Sequence, residues 1–396
     1  MRRNAGGGLA QPAGIAVPPP RTTTGAIAVG NLHSRIRALE ERLRSVPRDL
    51  DAMGELVQLY LQRADYLGTL TDFDRADALA ERAVAEPGAR GLVMRARVRG
   101  ALHRFPAALA DLDAAAALGT KGASERRDRT SFVLAMGRLE EAASLAGSAP
   151  LRGAESLYTR AAVQAALGSY EAAAGFYAEA RASMRTTLPF PIAWTEFQEG
   201  LAWEQGGDFV RARERYEVAH ARLPEYAAAT AHLAGVLARV GETARASALL
   251  EPLVASSDDP EYPAQLAELR RKEGRVAEAD ALALRARQGY DALLARHPQA
   301  FADHAARFFL TVDPARALAL AEQNLAVRNT HEAIELLLDA ALAANQPARA
   351  CAAADAGLTS LAPVRLRVAA YRAYTACGRP VDAARVDPQP APGTTP

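Results

Sequence analysis

Apolar positions along this chain recur with a helical period. In the stretch WEQGGDFVRARERYEVAHARLP (203–224), Ala212, Tyr216 and Ala219 share one helical face and charged residues occupy the other. A Gly-Gly pair precedes this run and Pro224 ends it, which reads as the second helix of a hairpin. The same spacing, a turn residue followed five positions later by alanine, recurs along the chain. It appears at Thr71/Ala76, His103/Ala108, Gly137/Ala142, Gly168/Ala173, Gly207/Ala212, Gly241/Ala246, Gly274/Ala279, Val312/Ala317, Asn345/Ala350 and Gly378/Ala383. Successive steps run from 31 to 39 residues. Glycine at the turn supplies the left-handed conformation that stops the first helix. In DPARA (313–317), QPARA (346–350) and RPVDA (379–383) a proline opens the second helix, where its missing N–H costs nothing. Strand-like alternation is absent from the pattern.

The hairpin with Gly200, Trp203, Ala212, Tyr216, Ala219 and Pro224, and the one with Gly168, Tyr170, Ala173, Tyr177 and Ala180, resemble the tetratricopeptide repeat family. The resemblance extends over roughly residues 50 to 385. It implies an all-α, right-handed superhelical solenoid of antiparallel helix hairpins, about ten repeats long. The first helix of each pair, helix A, would line a concave groove in which protein or peptide ligands lie. Each repeat is expected to bury its apolar face only against its neighbours, giving a long groove and no single deep pocket. The lysine/asparagine/arginine clamp by which some members grip chaperone C-termini has no counterpart: Lys121 and Lys272 are the only lysines, and no asparagine falls in the early A helices.

The expected organisation is a Gly/Pro-rich disordered segment (1–31), an N-terminal capping helix (32–47), the solenoid (48–386) and a disordered tail (387–396). The capping helix carries Leu32, Ile36, Leu39, Leu43 and Val46 on one stripe. Pro388 stunts the last helix, which leaves an apolar edge and raises a homodimer through the C-terminal end. Insertions at MRTTLPFP (184–191) and in the long helix before His297-Pro298 lengthen two of the steps. Loops of this kind can carry binding contacts.

Composition excludes several function classes. The net charge is +1, which argues against nucleic acid or an anionic membrane surface as partner. No apolar run approaches the ~20 residues of a membrane helix. The N-terminus has two arginines but no apolar segment after them, so the chain reads as cytoplasmic, or exported if the true start codon lies upstream. Cys351 and Cys377 fall on neighbouring helices at one edge of the array. Two small buried thiols is the plain expectation, and a disulfide would imply an oxidising compartment.

The chemistry-bearing residues point to no enzyme, no metal site and no cofactor. His297 and His304 are separated by a proline that starts a new helix, and no GxSxG elbow is present. The acidic run SSDDPEYP (256–263) precedes a helix and reads as capping. The A-helix register instead places a candidate peptide-binding groove at Arg90, Arg97, Arg127, Tyr158, Trp194, Gln198, Glu204, His232, Arg239, Gln265 and Glu268. Its basic beginning suits an acidic segment or a free carboxylate. The expected function is a non-catalytic protein- or peptide-binding scaffold. The alternative is a ligand-gated regulator or small-molecule carrier with the inserted loops closing a site, and a helical enzyme using His304 is the weakest reading.

Overall fold

Turn residues decide where each helix of this chain stops. His103, Gly137, Gly168, Gly207, Gly241, Gly274, Asn345 and Gly378 all have positive φ, between 55° and 84°. In the first hairpin Gly68 takes that conformation in place of Thr71, which opens the following helix. The computed structural model describes residues 21–148, 153–359 and 362–387. The expected disordered ends, apart from residues 21–31 and 387, lie outside the described residues.

Helix α1 (Gly25–Ser45) precedes a series of antiparallel hairpins. In order these are α2 (Leu50–Leu67) with α3 (Thr71–Val84), α4 (Arg90–Ala101) with α5 (Phe105–Ala117), α6 (Ala123–Ala135) with α7 (Leu139–Ser148), and α8 (Gly153–Ala166) with α9 (Tyr170–Ser183). Then come α10 (Phe190–Gln205) with α11 (Phe209–Arg222), α12 (Ala227–Arg239) with α13 (Thr243–Ser256), and α14 (Glu261–Lys272) with α15 (Val276–Arg296). The series closes with α16 (Pro298–Val312) and α17 (Pro314–Val327), α18 (His331–Ala343) and α19 (Pro347–Gly357), and α20 (Val364–Ala376) and α21 (Pro380–Val386). The fold is an all-α, right-handed solenoid. Alanines five positions after each turn form its seam: Ala76, Ala108, Ala142, Ala173, Ala212, Ala246, Ala279, Ala317 and Ala350 are wholly buried, and Ala383 is 4% exposed. A larger side chain there would force the paired helices apart.

Helix α1 begins at Gly25, not at residue 32, because Thr24 caps it by accepting from the Ile27 N–H. Leu32, Ile36, Leu39 and Leu43 are buried as the stripe predicts, while Val46 is an exposed C-cap. At the other end of the chain a disulfide joins Cys351 to Cys377 across 26 residues, in place of two thiols. A loop of that length removes about 3 kcal/mol of unfolded-chain entropy and ties the short last hairpin down. Val364, Val368 and Tyr371 form an exposed apolar stripe along α20.

The expectation of neighbour-only packing is overturned. The superhelix winds tightly enough that its first hairpin meets the fifth, sixth, seventh and eighth. Tyr66 packs on Phe190 (centroids 5.0 Å) and Tyr226 (4.7 Å), and its hydroxyl donates to the Phe190 carbonyl at 3.1 Å. Phe73 meets Phe301 at 6.2 Å. Further along, the Asn329 N–H donates to the Met136 carbonyl at 3.2 Å, and Arg365 lies 3.5 Å from Glu204. At this second contact a β-carbon on Gly137 would stand 2.0 Å from the Asn329 carbonyl oxygen.

The lengthened segments serve this closure. Thr187 of the first insertion accepts from the Thr23 N–H at 2.8 Å. The extended α15 reaches α3, where His297 Nε2 donates to Asp74 at 2.6 Å. The acidic run does cap its own helix, since Asp259 accepts from the Glu261 N–H at 2.8 Å. It also caps a distant one: Asp258 accepts from the Leu70 and Thr71 N–H groups of α3 at 2.5 and 3.1 Å, and Ser257 donates to the Gly68 carbonyl at 2.6 Å. Replacing a capping carboxylate typically costs about 1 kcal/mol. Asp258→Ala is therefore expected to lower the unfolding free energy by about 1–2 kcal/mol in urea titration. A loss under about 0.3 kcal/mol would mean that the cap does not hold the turns together.

Candidate functional site

The A helices turn their non-packing side chains toward the axis of the superhelix, and the winding converts the expected open groove into a lumen with separate recesses. One, of about 750 Å³, lies among α2, α4, α8 and α10. Its walls are Tyr66, Phe73, Tyr158, Phe190 and Trp194, with Leu61, Leu188 and Pro191 at the edges. Tyr158 and Trp194 stand edge to face at 5.0 Å. The polar groups in it are Gln62, Asp65 and His103. His103 donates from Nδ1 to the Gln299 carbonyl at 3.2 Å. Burial, with help from Arg328, pushes His103 down to about 4, so it carries no charge near neutral pH. Asp65 makes no hydrogen bond or ion pair with any described residue; the protein packed around it raises its carboxyl to about 6, an effect that its exposure to the water of the recess screens.

A second recess, of about 390 Å³, lies along α10, α12 and α14. Five of the residues the register placed in the groove meet here: Glu204, His232, Arg239, Gln265 and Glu268. Two of them, Glu204 and His232, are bonded to each other. Glu204 accepts from the Tyr216 hydroxyl at 2.6 Å and from His232 Nδ1 at 3.1 Å. Burial works against the Glu204 charge, but His232, Tyr216 and Arg365 outweigh it and hold the carboxyl down at about 2. Arg239 lies over the Phe209 ring at 4.3 Å, and Gln265 donates to Glu261 at 2.8 Å. Gln198 belongs to neither recess and lines a third, of about 340 Å³, bounded by residues 328–332.

The expected basic beginning of the groove is neutralised within the chain. Arg90 is exposed and paired with Asp51. Arg97 donates to Asp128 at 2.8 Å and to the Ser124 hydroxyl at 2.5 Å. Arg127 is paired with Glu155. Conversely, the register as first applied omits Leu61, Gln62 and Asp65. They stand ten, nine and six positions before Thr71, the same offsets that Arg127 and Tyr158, Gln198 and Arg97 have from their own turns. The signal was present in α2. Phe190 and Leu188 arrive through the inserted loop, which follows no repeat register.

His297 and His304 take different partners. Arg104 donates to His297 Nδ1 at 3.1 Å, opposite the bond to Asp74. His304 Nδ1 donates to Glu261 at 2.9 Å and lies beside Asp303. Burial disfavours its charged form, yet Asp303 and Glu261 prevail and raise the imidazole to about 10. The pairing lowers Glu261 in turn, while burial and the Glu261 charge raise the neighbouring Asp259.

Residues 204–269 match a family model described as tetratricopeptide repeat. The hairpins on either side of this segment repeat the same antiparallel helix-turn-helix architecture. Solved structures similar in fold include a human IFIT1 dimer with PPP-AAAA (13% identity, TM-score 0.47, covering 81% of this chain and 76% of that one). Yeast Tom70 gives 12% identity and a TM-score of 0.35 over 91% of this chain and 88% of the other. Cut9 in the APC/C hetero-tetramer Cut9-Hcn1 gives 13% and 0.34, over 92% of each. No curated protein matches the chain in sequence. Among the described residues no helix is long and apolar enough to cross a membrane.

Because the folded-state value of His304 lies above its ordinary 6.5, its contribution to stability is complete below about 6.5 and is lost as pH rises through about 10. The side chain is 47% exposed to the water of the lumen, which screens the size of the effect. NMR of the imidazole is expected to find His304 still protonated at pH ~8, and His304→Gln to flatten the fall in stability across that window. A titration midpoint near 6.5 would refute the assignment.

Proposed function

We propose that this chain is a non-catalytic scaffold that receives a segment of a protein or peptide partner on the inner face of its superhelix. The observation supporting this is the aromatic recess of about 750 Å³, to which four A helices contribute side chains. Aromatic anchors in a preformed concavity are the usual high-energy contacts of a binding surface. An acidic segment would have to displace Asp128 from Arg97 and Glu155 from Arg127, whereas an apolar segment entering the recess displaces neither. The inserted loop favours a second reading, a small-molecule carrier, because Leu188, Phe190 and Pro191 supply part of the wall.

Affinity capture from native lysate, wild type beside a Tyr158→Ala/Trp194→Ala variant, tests the first reading. The variant is expected to keep a cooperative melt and to retain the client at least about tenfold less, the loss of two aromatic anchors being worth more than 1.4 kcal/mol. Equal retention by both proteins would remove the recess from the reading. Capture of nothing by either, with a metabolite-induced rise in Tm, would select the carrier.

We further propose that the chain works in an oxidising compartment, not in the reducing cytosol that its N-terminus suggests. The Cys351–Cys377 disulfide supports this, since such bonds persist where thiols are not kept reduced. Protein taken from its native cells under acid quench is expected to react with maleimide only after reduction. Full labelling without reductant would sink the proposal.

A further inference from the structure

The aromatic recess contains a charge that the chain leaves unanswered. Asp65 lies in the last turn of α2, on the side that faces the lumen, and its carboxylate opens into the cavity between Tyr66, Tyr158, Phe190 and Trp194. The cations around it are committed elsewhere. Arg63, two residues away, donates twice to the wholly buried Asp72, at 2.5 and 2.8 Å. Arg97 holds Asp128 and Ser124, Arg127 holds Glu155, and Arg328 holds Asp303 at 3.0 Å. His103, the other titratable group with nitrogen donors in the lining, is bonded to a backbone carbonyl. The carboxylate is exposed inside the recess, so water solvates it when the recess is empty, and a cation entering between the rings would take the place of that water. The rings themselves are suited to one, since their faces are the negative ends of their quadrupoles. Gln62 on the same wall offers a further acceptor.

We infer that this recess binds an ammonium group on an apolar stem, the lysine side chain of a partner segment, with its charge on Asp65 and its methylenes against Tyr158 and Trp194. The inference rests on the scaffold reading above and names the group that the scaffold recognises. Its sign is opposite to the acidic partner that the arginines suggest from sequence. The stem fits because the floor and rim are apolar: Phe190 is 4% exposed in the floor, and Leu188 stands 45% exposed at the rim. Length matters as well as charge, because the carboxylate and the aromatic pair line the same recess and a short amine on Asp65 would leave the rings uncovered.

Trp194 is one of only two tryptophans in the chain, so its fluorescence reports on the recess directly once Trp203 is replaced by phenylalanine. Titrations at pH ~8 keep the Asp65 carboxyl ionised. The probes are n-hexylammonium, n-hexanol and n-hexanoate, then a capped peptide Ala-Leu-Lys-Leu-Ala and the same peptide with norleucine for lysine. Hexylammonium is expected to bind about tenfold tighter than hexanol, with hexanoate weakest, and the lysine peptide tighter than its norleucine twin by a similar factor. Asp65→Asn, which breaks no bond to a described residue, is expected to abolish both differences without lowering Tm. Equal binding of hexanol and hexylammonium, or an unaltered preference in Asp65→Asn, overturns the inference. Binding of the free amine with exclusion of the lysine peptide overturns the partner side chain as its source. Capture that fails with Tyr158→Ala/Trp194→Ala but persists with Asp65→Asn leaves the scaffold standing and removes only the cation.

Discussion

The closure of the first hairpin onto the fifth through the eighth is the contact on which the rest of this molecule depends. A solenoid whose hairpins touch only their sequence neighbours is a spring, and its inner face is as wide as its curvature allows. Here Tyr66 is held between Phe190 and Tyr226, and Asp258 binds the open N–H groups at the start of α3. These contacts join residues more than a hundred positions apart, and they fix the curvature that local packing leaves free. The buried core accordingly runs without a break from α1 through α4 into α10 and α16.

Closure also explains the electrostatics of the interior. Charged side chains that would be solvated on an open concave face are brought toward one another across a narrow lumen. Most of them find partners there: Glu204 with His232 and Arg365, His304 with Glu261, Arg328 with Asp303. A lowered dielectric strengthens each pair and makes any unpaired charge conspicuous. Asp65 has no partner among the described residues, and it opens to water inside the aromatic recess.

The insertions bear on the same point. Measured against the repeat, MRTTLPFP and the extra turns of α15 are irregularities, and they read as rim loops that could close over a ligand. In the folded chain they first close the protein on itself. Thr187 bonds to Thr23, Phe190 meets Tyr66 edge to face, and the end of α15 reaches Asp74. Only after that do Leu188, Phe190 and Pro191 become part of a recess.

The sequence by itself determined the hairpins, their turns and their seams. Positive-φ turn residues stop one helix, and the alanines that follow let the next one approach; both are local requirements, written within a few residues of where they act. Residues that the register named line two recesses, Tyr158 and Trp194 in one and Glu204, His232, Arg239, Gln265 and Glu268 in another. What it left open was which inner-face residues meet. Arg97 looked like a free cation until Asp128 came beside it from the next hairpin, and the two cysteines looked like buried thiols until α19 and α20 set them in bonding range. The lumen, its aromatic recess and the isolated carboxylate of Asp65 were decided only by tertiary structure. Each depends on the rotation between successive hairpins summed over many repeats, and no local pattern encodes that sum.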